Sequence, residues 1–450
     1  MLFRVLLFLN FFYTFLNSRL FYVPMKTEWK IFWIYLIVIA LITKPYVYGE
    51  NEASRFNALA AIVEEHSLGW TSRYFVTDDR IYINGKEYSD KPYALVLLAA
   101  PFYWVLYSFG IGFENSLGWS TYLLKVFVVG IPTAFLLVIF YRSLLLEKKY
   151  KTILTLILGF CTLLFTYATT FNNHNISALF LFVAFLLHTK KDKANLFFLG
   201  VFLGLGTALD VVIGIFFTIG FFSYYFFFAK TAFSEKAKLF FGFFLLFLLY
   251  MIPNYLIISN VFIPAYAHPE YYIAARTWQN QENLPGFYNH RSPGDLLLYT
   301  FHSTFGFRGF FSYSPVLFFG FCILLWRVWK KRDVSLLPLI FAIIATISYY
   351  CVYTINYGGS SYGSRYFIPL IPILIYFCAD IFTTLQKYKT LFYVLALISF
   401  LTALVGAFNP WANHANEGMY AISFVVNFAH QYVYNTAGHY VLHALLPWWF

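Results

Sequence analysis

The chain has 450 residues, of which 60% are hydrophobic, 24% aromatic and only 11% charged, where soluble domains carry about 25% charged residues. That much apolar surface exceeds what one core in water can hide, which excludes a soluble enzyme and makes lipid the solvent for most of the chain. The net charge of +11 points to a positive-inside bias and not to nucleic acid, because the lysines and arginines fall between apolar runs.

A bilayer core about 30 Å thick needs about 20 apolar residues per helix. Residues 1–24 form a leader in which Arg4 precedes an apolar stretch broken by Asn10, Asn17, Ser18 and Arg19. It lacks an A-x-A-like cleavage site, so it reads either as an extra interfacial or membrane helix or as sequence upstream of a start at Met25. A good span follows at about 31–48, then a polar segment over 49–92 in which 57–65 reads as a short amphipathic helix. Further apolar runs lie at about 93–110, 119–141, 152–171, 175–188, 196–229 (two passes with Asp210 between them), 237–259, 313–329, 334–354, 366–382 and 391–407. The expected fold class is therefore all-α, a polytopic bundle of roughly 11–13 spans. The alternating strands of about 10 residues that a membrane barrel needs are absent.

The links 142–151, 188–193, 230–238, 327–332 and 386–389 are short and basic and read as cytoplasmic. The segments 49–92, 260–295, 355–364 and the tail 408–450 then lie outside. An odd number of crossings must separate 49–92 from 142–151, yet two runs lie between. Pro101 interrupts the first, so 93–110 reads as re-entrant, with non-helical backbone buried in protein or facing a cavity. Residues 25–407 read as one transmembrane domain, and the tail, ending Pro447-Trp448-Trp449-Phe450, as an interfacial cap. Cys161, Cys322, Cys351 and Cys378 sit within apolar runs without CxxC spacing and read as small core residues.

Polar residues cluster at the outer ends of the spans. Of the 20 acidic residues, Glu50, Glu52, Glu64, Glu65, Asp78, Asp79, Glu87 and Asp90 all fall in the first outer segment. Four of them, Glu64, Glu65, Asp78 and Asp79, read as a solvated loop. Glu50 and Glu52 follow a spanning helix, where desolvation raises a carboxyl toward the range a general base needs. Lys91 precedes Pro92 at the mouth of the next run, either as a point charge for a phosphate or as a snorkelling lysine. The turn 166–174 brings Asn172, Asn173 and His174 together. Gly358, Gly359 and Gly363 precede Arg365, a pattern that lets backbone N–H groups and a guanidinium meet an anion, with a tight interhelical turn as the competing account. Arg308 lies between Gly306 and Gly309 in a comparable setting. Tyr266, Tyr271, Tyr272, Trp278 and Tyr288, with Glu270, Arg276 and His290, make the 260–295 loop a plausible acceptor surface or a lid.

At these clusters the chain resembles the bacterial GT-C membrane glycosyltransferases, the class holding protein O-mannosyltransferases and lipid A aminoarabinose transferases (glycosyltransferase family 39-like). The match runs by motif over about 49–385. Glu52-Ala53-Ser54-Arg55-Phe56 matches the family's acid three residues before Arg-aromatic, which Glu50 does not. Lys91-Pro92 matches the Lys-Pro before the second span, 166–174 the Tyr-rich turn, and 358–366 the Gly-Gly-x-x-x-Gly-x-Arg-Tyr pattern. The chain departs from the family in having Glu as first acid where Asp is frequent, and Asn173-His174 where a second acid is common.

The resemblance implies a GT-C bundle whose first outer loop carries short amphipathic helices. It also implies inverting transfer of a sugar from a polyprenyl-phosphate donor to a lipid, glycan or protein acceptor, on the extracytoplasmic face of the inner (plasma) membrane. Glu52 would be the general base, with His174 at the second catalytic position. Lys91, Arg308 and Arg365 would bind the donor phosphate, supported by Arg55, Asn173, Gly358, Gly359 and Gly363. The expected partners are the donor, the acceptor and membrane lipids, without nucleic acid. A divalent Mg or Mn ion on the acidic cluster is compatible with its oxygen ligands. The competing reading is a transporter or flippase of lipid-linked sugars, which needs ionisable residues along a mid-membrane path; Asp210 is its candidate.

Overall fold

The computed structural model describes residues 26–47, 49–189, 196–265, 292–354, 357–359 and 361–411. The leader 1–24 and most of the 260–295 loop and of the tail, with its aromatic cap, lie outside them.

The chain forms a helical membrane bundle. Helix α1 (Thr27–Ile42) stops where Thr43 turns to extended backbone ahead of Pro45. Then come α2 (Glu50–Glu64), a hairpin of β1 (Arg80–Ile83) and β2 (Lys86–Ser89), α3 (Ala94–Ser108) and the long α4 (Phe113–Ser143), which contains a π-helical stretch at Lys125–Gly130. Next are α5 (Lys148–Phe160), the short α6 (Leu163–Tyr167), α7 (His174–Thr189), α8 (Leu196–Leu209), α9 (Val211–Phe228) and α10 (Phe233–Ile258). After the loop follow α11 (Pro293–Thr304), α12 (Phe310–Tyr313), α13 (Val316–Lys331), α14 (Val334–Tyr353), α15 (Arg365–Phe382) and α16 (Gln386–Phe408). Six of these, α4, α9, α10, α14, α15 and α16, are long and apolar enough to cross a membrane, with α3, α7 and α8 as shorter apolar helices. The 196–229 run divides at Asp210 into α8 and α9, as expected.

The first polar segment departs most from the sequence reading. In place of an amphipathic helix over 57–65, α2 begins at Glu50 and is buried along almost its whole length. Docking is the reason: Phe56 stacks on Phe171 (4.5 Å, 17°) and meets Phe113 edge-on, so α2 has protein on several sides and no solvated stripe. The hairpin adds a small sheet to a chain read as all-α. Its two strands pair antiparallel around Asn84-Gly85, both with positive φ (49° and 82°), as a type I′ turn requires. The run 93–110 is helical despite Pro101, not irregular backbone. Buried Tyr103 donates to Glu64 and accepts from the Phe113 N–H, which packs α3 on α2. Gly110 (φ 77°) then turns the chain into α4, whose 31 residues are long and apolar enough to cross a membrane, where α3 has 15. Glu64 also accepts from the Tyr74 hydroxyl at 2.7 Å, so this partly exposed acid ties α2 both to α3 and to the loop that follows it. Cys161, Cys351 and Cys378 are buried as expected, but Cys322 is exposed, because it lies on the outward face of α13.

Helix packing in lipid gains little from the hydrophobic effect and depends on close approach of backbones. Gly200 and Gly204 on α8 and Gly242 on α10 provide it: a Cβ on Gly204 would collide with the Phe243 carbonyl, and one on Gly242 with the Phe197 carbonyl. Gly204→Val is expected to destabilise the protein by about 1–3 kcal/mol through overpacking. Gly118→Ala, whose Cβ would meet nothing closer than 3.5 Å, serves as the near-neutral control. Thermal unfolding of both variants in one detergent checks this, and equal midpoints would refute it. Away from the first segment, ion pairs tie helix ends together: Glu28 to Arg142 at 3.3 Å and Arg327 to Asp380 at 2.5 Å.

Candidate active site

The first turns of α2 put Glu52 and Arg55 on one face, since i and i+3 are neighbours on a helix. That face docks on the turn before α7. Glu52 Oε1 accepts the Phe171 N–H at 2.6 Å, and Arg55 Nη2 donates to Asn173 Oδ1 at 2.6 Å. Asn173 Nδ2 donates in turn to the Leu209 carbonyl at 2.8 Å, so one asparagine links α2, α7 and the break between α8 and α9. The turn holds itself in shape: Asn172 Oδ1 accepts the His174 N–H at 2.9 Å while its amide donates to the Tyr167 carbonyl and the Thr170 hydroxyl. Asp210 sits in that break with non-helical backbone (φ −135°, ψ 88°), and its Oδ2 lies 2.6 Å from His174 Nδ1.

Two lysines that the sequence reading passed over lie beneath Glu52. Lys125, the first residue of the π-helical stretch, places its ammonium 3.4 Å from Glu52 Oε1 and donates to the Tyr46 carbonyl at 2.7 Å. The available signal was a lone lysine inside an apolar run, which in a membrane marks function by default. Lys44 is buried beside them, and burial together with the Lys125 charge pushes its pKa down to about 8, against the opposing pull of Glu52. Because this folded value lies below the ordinary 10.5, the unfolded chain holds more protons between the two. The destabilisation is full below pH 8 and fades as pH rises through that window. The melting midpoint should therefore rise from about pH 7 to about pH 9.5 more in wild type than in Lys44→Met; parallel midpoints in the two proteins would contradict this.

Lys91 is not a free ammonium at the mouth of a span. It lies 3.0 Å from Asp79 and 3.1 Å from Asp90, so its charge is offset locally. The arginines differ. Arg308 is 1% exposed and donates through Nη1 to the Ser361 carbonyl. Arg365 lies with its guanidinium 5.0 Å from the Trp411 ring and 5.7 Å from that of Tyr366. The buried Nε atoms of Arg55, Arg308 and Arg365 all lack a hydrogen-bond partner among the described residues, and none of the three forms a salt bridge there. Burial and the charge of Arg365 push Arg55 down to about 10, with Asp90, Asp79 and Asp210 acting the other way. Charged groups of the first outer segment, of the helix break and of the glycine-rich loop thus act on Arg55 together.

The glycine-rich loop owes its path to positive φ at Gly358 (95°), Gly359 (73°) and Gly363 (67°). At Gly363 a Cβ would also press on the Tyr313 ring at 3.0 Å. This loop carries Ser361 to Arg308 and starts α15 at Arg365. Among the described residues no group of three or more His, Cys, Asp or Glu side chains gathers to hold a metal, and the one close acid pair around Lys91 is bridged by its ammonium. The arrangement can bind an anion among arginines and hold a carboxylate and an imidazole beside it. In comparisons with protein-family models, curated proteins and solved structures, the chain matches none of them.

Proposed function

We propose that this chain is a GT-C-type glycosyltransferase of a cell (plasma) membrane, which moves a sugar from a polyprenyl-phosphate donor to a lipid, glycan or protein acceptor on the extracytoplasmic face, with inversion. One observation carries the reading: the buried Arg55 and Arg308 and the half-buried Arg365 have buried, unpartnered Nε atoms and no carboxylate bridge among the described residues. Burying a charge without a counter-charge is costly, and an arginine cannot escape by losing its proton. A phosphate matches these guanidiniums in charge and in fork geometry, and the surrounding lipid accommodates a polyprenyl tail.

In the reaction the acceptor oxygen attacks the anomeric carbon and its proton passes to Glu52. Phe171 N–H and Lys125 both meet Oε1, so Oε2 takes the proton. The bond from the anomeric carbon to the phosphate oxygen breaks, and its electron pair leaves on the phosphate, where Arg55, Arg308 and Arg365 meet the growing charge. Preorganised cations in a low-dielectric site act most strongly at that step. Lys91 acts from farther out, tempered by Asp79 and Asp90. Asp210, on which a transporter reading would rest, is engaged with His174 beside the same arginines, which favours transfer over transport.

The test is incubation of purified protein with a panel of polyprenyl-phosphate sugars, read as release of polyprenyl phosphate. Release with at least one donor is expected; none across the panel, with and without added Mg or Mn, would refute the transferase.

A further inference from the structure

His174 Nδ1 lies 2.6 Å from Asp210 Oδ2, and both residues are buried. Next to a carboxylate the Nδ1 atom carries the proton, which leaves the Nε2 lone pair as the acceptor of the neutral ring. Burial acts on this ring against a second proton, joined by the charges of Arg365 and Arg55 and opposed by Asp210. No described residue hydrogen-bonds to Nε2. The ring is fixed in orientation as well: Asn172 holds the His174 backbone, Asn173 ties the next position to Arg55 and the Leu209 carbonyl, and Tyr366 meets the imidazole edge-on at 6.3 Å. An acceptor locked in one tautomer, unpartnered by the protein and still accessible on a side chain that is 9% exposed, is open to a donor from a ligand.

Its place among the arginines says which part of the ligand supplies it. The sugar is bonded directly to the phosphate, and His174 adjoins Asn173, which holds Arg55, and meets Tyr366, which follows Arg365, so its acceptor belongs near the sugar end of a phosphate held by these arginines. Resting on the transferase reading above, we infer that His174 Nε2 accepts a hydrogen bond from a hydroxyl of the donor sugar, and that Asp210 is the positioning residue that fixes its tautomer. The site then selects donors with a hydroxyl at that ring position. No proton changes hands in this contact; Glu52 remains the base. A site built to bond a hydroxyl discriminates strongly against a substrate lacking it, because its own polar group is left unpaired.

The experiment crosses protein variants with substrate variants. Wild type, His174→Ala and Asp210→Asn are each assayed with a fully hydroxylated polyprenyl-phosphate hexose and its 2-, 3-, 4- and 6-deoxy analogues, and kcat/KM is measured for every pair. Wild type should reject one deoxy donor by at least about 10²-fold, and this ratio should collapse toward unity in His174→Ala and shrink in Asp210→Asn. Each ratio is taken within one protein, so partial misfolding of a variant cancels. Unchanged discrimination in His174→Ala, equal use of all deoxy donors by wild type, or loss of all donors by one common factor in the variants would each overturn the assignment. Wild type that turns over no donor refutes the transferase instead, so the two failures are told apart.

Discussion

Glu52→Gln is expected to lower kcat by about 10²–10⁴-fold, the range of a positioned general base, and to lower stability as well. The second effect follows from Lys125, whose buried ammonium lies 3.4 Å from Glu52 Oε1. Removing one partner of a buried pair leaves the other charge uncompensated. Glutamine still accepts the Phe171 N–H, so the destabilisation should be roughly 2–3 kcal/mol and not the full cost of breaking the pair. Loss of activity alone therefore does not separate a base from a structural anchor, and a second variant does. Glu52→Gln/Lys125→Met removes both charges and should recover most of the melting midpoint while staying inactive. If the double variant regains transfer along with stability, Glu52 is only the counter-ion of Lys125 and the base lies elsewhere.

Lys125 also shows where sequence reading stopped short. The resemblance by spacing brought out Glu52, Arg55, His174 and Arg365; Glu52 and Arg55 dock on the turn before His174, and the charge of Arg365 acts on Arg55. What spacing does not reveal is which charges are already answered. Lys91 looks like a phosphate ligand in the sequence, yet Asp79 and Asp90, its neighbour in the chain, close on it. Asp210 looks isolated between two apolar runs, yet a one-residue break in the helix turns its carboxylate to His174. Both outcomes depend on tertiary contacts spanning 12 residues for Asp79 with Lys91 and 36 for His174 with Asp210. Periodicity within one helix carries no information about such contacts.

The fold was legible where composition dominates. Runs of apolar residues became helices, and the interruption at Asp210 became a break. It was less legible over 49–92, for a physical reason: α2 is polar in sequence, yet its polar side chains are buried against protein and do not face water. Buried Glu52, Ser54, Arg55 and Asn57 mimic a solvated helix in any hydropathy profile. The hairpin, by contrast, was announced by Asn84-Gly85 between Ile81-Tyr82-Ile83 and Lys86-Glu87-Tyr88, the strongest short-range hairpin signal. An expectation of helices alone hid it. The Pro101 break was over-read, since Tyr103 and its bonds to Glu64 and Phe113 hold α3 in place around the proline.

Arg308→Met is expected to separate stability from activity in the opposite direction to Glu52→Gln. Arg308 is 1% exposed, and among the described residues its Nε has no partner and its side chain hydrogen-bonds only to the Ser361 carbonyl. Methionine fills a comparable volume without charge. Without donor, the variant loses one hydrogen bond but no longer holds an uncompensated buried cation, so its unfolding free energy should stay within about 1 kcal/mol of wild type or rise. With donor the same exchange removes a cation from the leaving phosphate, and kcat should fall about 10²–10³-fold, as when one preorganised donor is deleted from a site that meets developing charge. Arg308→Lys should recover only part of this, because an ammonium restores charge without the planar fork. Melting curves with and without polyprenyl phosphate complete the test: the product should raise the wild-type midpoint and raise that of Arg308→Met less. A variant that is strongly destabilised without ligand and responds to polyprenyl phosphate like wild type would make Arg308 a strut for the 361–365 loop and remove it from the anion site.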